Sequence, residues 1–265
     1  MVNALRLAWL YFRLSVQNLA AYRFDIVMRV AMAFVHIGFE LMGVWIIFSN
    51  AETIRGWTWM HMIVLVGVFR IVAGGIRILI VPNMRVLLED IRSGRLDYVL
   101  MRPVNAQLLV SIREFVIWRV ADVVLGFSVS IYGCLRLTGT VPVGAVLQFL
   151  VTLVAALAIV YSVWLMLATM CFWFVRIQNI EMVFWNVFEA GRYPIVIYRP
   201  WIQWMLTFVI PLAFITTIPA GTLIGMDDQI VGWAPALAVG MAASMLLLSS
   251  WFWRFGLRHY SGASA

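Results

Sequence analysis

The feature that most constrains this chain is the recurrence of long apolar runs, of which 26–49, 58–82 and 147–175 are the clearest. Each is long enough, at ~1.5 Å per residue, to cross a ~30 Å hydrocarbon layer as a helix. Within lipid every backbone N–H and C=O needs a partner in the protein, and a helix supplies those partners from its own turns. Such runs can recur only because 64% of the residues are apolar and mean hydropathy is +0.97, far from the roughly half-apolar mix of a soluble domain. The expected fold class is an all-α polytopic membrane protein with six transmembrane helices in one domain.

Taken in order, residues 1–25 read as an N-terminal interfacial amphipathic helix, with Leu5, Ala8, Trp9, Phe12, Val16 and Leu19 on one face. A single six-helix transmembrane domain then covers 26–258, with spans near 26–49, 58–82, 116–135, 147–175 and 232–253, and a tail at 259–265. The region 177–225 admits two readings. Glu181, Glu189 and Arg192 make its first half polar, while Pro194, Pro200, Pro211 and Pro219 punctuate the second. Either 177–198 lies at the interface and 203–223 spans, or the first stretch spans and the second is a proline-broken re-entrant element containing Pro211 and Pro219. With both termini on the same side, Arg85, Arg92, Arg95, Arg102, Arg113, Arg254 and Arg258 are among the arginines facing the cytoplasm. Only Arg55 and Arg136 fall securely outside, and that asymmetry sets the orientation.

One segment is densely charged. In 84–92 Met84, Leu87, Leu88 and Ile91 hold the i, i+3, i+4, i+7 spacing of an apolar helix face, opposite Arg85, Glu89, Asp90 and Arg92. Gly94 stands where a left-handed C-cap is wanted, and Pro103 ends a further short turn. A short amphipathic helix, a glycine hinge and a second turn are expected over 83–105, between the second and third spans.

The basic residues are 19 arginines and no lysine. A Walker A phosphate loop and a Schiff base both need lysine, so ATP hydrolysis through a P-loop of this chain is excluded. Arginines in so apolar a chain mark membrane loops, and no nucleic-acid role is read from them. HExxH and GxSxG are absent, and Cys134 and Cys171 lack the spacing of a metal site or a disulfide framework, so both read as buried thiols. No cofactor is expected.

Charges also fall inside the spans. Glu40 and Arg70 lie at nearly the same depth in the first and second spans, and a lone charge there costs ~2.5 kcal/mol or more, so the two are expected to pair. His36 and Arg77 extend a possible polar stripe, and Arg119 with Asp122 reads as a local pair on the third span. Gly232, Ala236, Gly240 and Ser244 form a small-residue stripe expected to pack within the subunit. A secondary transporter using Glu40, His36 and Arg70, or a membrane-embedded enzyme using Glu181 and Glu189, are the alternative functions.

The wording IRSGRLDYVLMRPVN at 91–105 resembles a motif of the ABC-2 type transporter permeases. RYPIVIY at 192–198, FVIPLAFITTIPA at 208–220 and FWRFGLRHYSGAS at 252–264 agree with it in order and spacing. The resemblance implies a six-span exporter half-channel in a bacterial cytoplasmic membrane, non-catalytic itself. It further implies two copies of a separate cytoplasmic ATPase that binds the ATP, and a second permease, identical or paralogous, with membrane lipids around them. On that basis 83–105 would be the coupling segment, with Glu89, Asp90, Arg92, Arg95 and Asp97 touching the ATPase.

Overall fold

A computed structural model describes residues 9–15, 23–174, 179–225 and 228–260, with the backbone alone described at 23–26 and 228–232. The fold is all-α. Among the described residues the only strands are Thr53–Ile54 and Trp57–Thr58, a hairpin turning at Arg55 and Gly56, both with positive φ. Among the described residues five helices are long and apolar enough to cross a membrane: Val27–Phe48, Trp59–Arg92, Ile117–Thr138, Val143–Met170 and Trp233–His259. A sixth arises if the bent pair Pro200–Val209 and Ala213–Ile224 is counted as one span. Of the expected N-terminal helix only 9–15 is described, and it is helical; of the expected tail only His259 and Tyr260 are described.

The second span does not stop at Pro82, as its sequence suggests. Trp59–Arg92 is one helix that carries the span directly into the charged segment. Proline has no N–H and would orphan the carbonyl four residues back. Here that carbonyl, Ile78 O, accepts from Val116 N–H at 2.9 Å, and a π-turn at Ile76–Ile80 makes room for the ring. The same device recurs downstream, where a π-turn at Ala213–Thr217 precedes Pro219 at the start of Ile218–Ile224.

In the region 177–225 the described helix of the first half is too short to span, and the bent second half has the form of a broken span or of a re-entrant element. The first half holds one nine-residue helix, Ile180–Phe188, followed by 3-10 turns at Glu189–Arg192 and Ile195–Ile197. At ~1.5 Å per residue that helix is less than half the thickness of a bilayer core. In the second half the chain breaks at 210–212, and the two sides are bent by 77°. Phe214, Ile215, Thr216 and Ala220 are buried, whereas Trp201, Trp204 and Phe208 face outward. Gly191 meets Thr216, and Ile195 N–H donates to Thr217 Oγ1 at 3.3 Å, so the 3-10 turns that follow the nine-residue helix are joined to Ala213–Thr217.

The tightest packing lies between the second and third spans. A Cβ built on Gly67 would stand 2.7 Å from Gly126 O, and one on Gly126 would stand 2.7 Å from Gly67 O, so the two backbones touch. Ser130 reaches across to Val64 O at the same seam. The last span packs on the fourth, and its Ala234, Ala238 and Ala242 are buried. That corrects the expected internal stripe, because Ala236, Gly240 and Ser244 are exposed and nothing lies within 4 Å of a Cβ on Gly240. Two small-residue stripes run half a turn apart on this helix, and residue size alone cannot choose between them. Cys134 and Cys171 are buried and unlinked.

Candidate functional site

Through the bundle runs a ladder of alternating charges. Arg70, only 4% exposed, donates from Nε to Glu40 Oε2 at 2.8 Å and from Nη1 to Asp122 Oδ1 at 3.4 Å. Asp122 Oδ2 also accepts from Arg119 Nη1 at 3.1 Å. On the other side Glu40 Oε1 lies 3.5 Å from Arg192 Nη2, which is 2.6 Å from Glu189 Oε2. The order is therefore Arg119, Asp122, Arg70, Glu40, Arg192, Glu189, and its formal charges sum to zero. Each span delivers its member for a local reason. Glu40 and Arg70 ride on helices packed side by side, Asp122 sits in the first turn of the third, and the 3-10 turn after Phe188 places Glu189 and Arg192 i, i+3.

Neutrality lets such a chain sit in an apolar bundle. A buried carboxylate flanked by two guanidiniums recovers by Coulomb attraction and charge-assisted hydrogen bonds what it loses in hydration. The arginine–glutamate contact at the centre joins the two groups that the sequence placed at one depth. Asp122 is more than a local partner for Arg119, since it also holds Arg70. Arg192 and Glu189 complete the ladder from a region whose polarity was evident but whose partners no spacing could indicate. His36 is exposed and stands outside the ladder, and the Arg77 guanidinium lies 4.5 Å from the centre of the Trp185 ring.

A second polar node fixes the charged end. Asn83 is fully buried, and its side chain uses all its capacity on backbone. It donates to Leu79 O at 2.7 Å and Glu114 O at 2.8 Å, and accepts from Arg113 N–H at 2.7 Å and Glu114 N–H at 2.9 Å. The lead-in to the third span is thereby pinned to the helix just past Pro82. Asp90 continues this joint. It is 5% exposed, takes Arg113 at 2.7 Å and Arg95 at 3.2 Å, and faces inward. Its expected place on the outer contact face is thus corrected: its carboxylate is occupied in shaping the segment. Arg85, on the same helix, grips Glu181 with two contacts of 2.6 and 2.7 Å.

What the end presents outward is different. Glu89 and Arg92 are exposed, Arg95 lies between Glu89 and Asp90, and Asp97 is half-buried in the short helix Leu96–Leu100. Gly94 has the left-handed φ of 71° that its position required. Beyond it Tyr98, 67% exposed, and Met101, 71% exposed, make an apolar tip with Arg102 alongside. The N-terminal helical residues 9–15 reach this end, where Phe12 meets Phe115 edge to face at 5.9 Å. Elsewhere an apolar cavity of about 680 Å³ opens between the fourth span and Ile180–Phe188, with Pro211 at its wall.

Set beside known proteins, residues 34–264 match the model of the ABC-2 family transporter proteins. No curated protein and no solved structure matches the chain significantly.

Proposed function

This chain belongs to the ABC-2 transporter family and is a multi-pass membrane permease, and from that premise we propose that it is the non-catalytic membrane subunit of an ATP-driven exporter. A separate cytoplasmic ATPase, in two copies, binds and hydrolyses the ATP, and a second permease, identical or paralogous, completes the path. The membrane is the bacterial inner membrane, with both termini cytoplasmic, so the charged end faces the ATPase. One observation carries the reading: a single helix, Trp59–Arg92, joins that exposed end to the glycine seam and the charge ladder. Force applied at the end is transmitted without an intervening loop.

The docking face consists of Glu89, Arg92, Arg95 and Asp97 around the tip of Tyr98 and Met101. Asp90 supports it from behind. The ladder is neutralised internally, with Glu40 and Asp122 each held between two guanidiniums, which favours a structural role over a proton path for secondary transport. The test is co-purification in mild detergent with the neighbouring genes co-expressed. Wild type is expected to retain an ATPase subunit, and the Glu89→Arg, Tyr98→Ala variant to lose it while remaining monodisperse. Retention of the ATPase by the folded variant would refute the assigned face, and a wild-type chain that purifies alone would refute the exporter reading.

A further inference from the structure

Behind the charged end a cavity of about 480 Å³ lies between the short helix Ala106–Ser111, the second and fourth spans and the last span. Part of its wall is a half-buried, hydroxyl-rich network. Gln107 Nε2 donates to Ser250 Oγ at 3.0 Å and to Tyr161 OH at 3.4 Å. Tyr161 OH lies 2.8 Å from Ser111 Oγ, which in turn donates to Gln107 O at 2.6 Å. These bonds hold Ala106–Ser111 against the fourth and last spans, so the shape of the cavity is set before anything enters it. Its exposed rim is different in kind. Asn105 caps the short helix through Oδ1, which accepts from Leu108 N–H at 3.2 Å, and its amide NH2 is left as a donor with no acceptor among the described residues. Arg254, also exposed on this cavity, makes no hydrogen bond or ion pair among the described residues, and no carboxylate stands in the lining. The rim therefore offers donors and one positive charge to an anion.

The last span shows what kind of molecule carries that anion. Leu247, Ser250, Trp251 and Arg254 stand at i, i+3, i+4 and i+7 and share one helix face. Leu247 is 73% and Trp251 62% exposed. Along this face an apolar side chain is followed by an indole, which headgroup level favours, and then by a guanidinium. That order matches an amphiphile laid along the helix, with hydrocarbon on Leu247 and the anion at Arg254. A guanidinium takes two oxygens of a phosphate through paired N–H donors, and the Asn105 amide adds a further donor. At ~30 Å³ per water the cavity equals about sixteen waters, room for a glycerol phosphate with the first methylenes of its chains. We propose that this cavity binds the headgroup of a net-anionic membrane phospholipid of the phosphoglycerol type, its phosphate at Arg254 and Asn105 and its hydroxyls against the Gln107–Ser250 network. A choline headgroup brings a second cation to Arg254, has no N–H or O–H to offer the network, and binds less well. The site makes no use of the ATPase-facing residues and stands apart from the exporter reading.

The test uses the full chain in detergent, washed free of lipid and titrated with phosphatidylglycerol, phosphatidylcholine or inorganic phosphate, with adducts counted by native mass spectrometry. Phosphatidylglycerol is expected to bind at least tenfold more tightly than phosphatidylcholine. Arg254→Gln, which removes no contact of the fold, should weaken phosphatidylglycerol at least tenfold. Asn105→Asp keeps an oxygen for the Leu108 cap and replaces the free donor by a negative charge, so it too should weaken the lipid while the chain stays folded. Arg136→Gln, at the opposite end of the third span, should leave binding unchanged. Equal wild-type binding of the two lipids, or undiminished phosphatidylglycerol binding by both Arg254→Gln and Asn105→Asp, would overturn the site. Displacement of the lipid by equimolar inorganic phosphate would overturn the lipid assignment in favour of a soluble anion.

Discussion

Removing Arg70 should destabilise the bundle in a way that one second substitution repairs and another worsens. Without Arg70 the ladder divides into Arg119–Asp122, which is neutral, and Glu40–Arg192–Glu189, which carries one negative charge in excess. Taking one partner from a buried ion pair costs about 3–5 kcal/mol, because a charge is left uncompensated. For a chain of this size that is on the order of a 10 °C fall in unfolding midpoint. Adding Glu40→Met to Arg70→Met leaves two closed pairs, and apolar replacement of a whole pair is often neutral, so the double variant should return to within about 1 kcal/mol of wild type. Adding Asp122→Asn instead strands Arg119 and keeps the surplus on the other half, so that variant should fall below Arg70→Met alone. Thermal unfolding in mild detergent, followed by tryptophan fluorescence, gives the ranking. If the two double variants unfold at the same temperature, or Glu40→Met brings no recovery, the ladder is not the electrostatic unit described above.

Further outcomes test other parts of the structure. Asn83→Leu removes the partner of two N–H groups and a carbonyl at 113–114; at ~1–3 kcal/mol per unsatisfied group it should cost about 3 kcal/mol or more and loosen the charged end to protease. Gly126→Ala, which drives a Cβ against Gly67 O, should cost about 1–3 kcal/mol by overpacking, whereas Gly240→Ala should be silent; equal midpoints for the two would refute the seam. Burial pushes the Cys171 thiol above its usual range, so at pH 7.5 a polar maleimide should modify it only after denaturation, and rapid labelling of the folded protein would contradict its placement.

The apolar runs carried most of the architecture into view, because length and hydropathy alone decide which segments can cross lipid. Glu40 and Arg70 could be matched because two opposite charges at one depth have few alternatives to each other. Other features depend on atoms remote in the chain. The helix continues past Pro82 because Val116 supplies the missing donor, and no signal in 76–92 announces that. Asp90 is adjacent to Glu89 on a face that reads as polar, yet Arg113, 23 residues away, draws it inward. Arg192 and Glu189 sit in a stretch too irregular for periodicity, so only the fold reveals which charges they complete.

The π-turn at Ile76–Ile80 has a geometric consequence for everything beyond it. One extra residue held in a helix without breaking it sets the following residues back by about 100°, the angle of one residue in a 3.6-residue turn. The compass bearing of Glu89, Arg92 and the tip around Tyr98 is thus dialled by a single wide turn near Pro82, more than two turns before the residues it aims. Deleting one residue from that turn would leave both the span and the charged segment helical, and would point the outer face roughly a quarter of a circle away from its present direction.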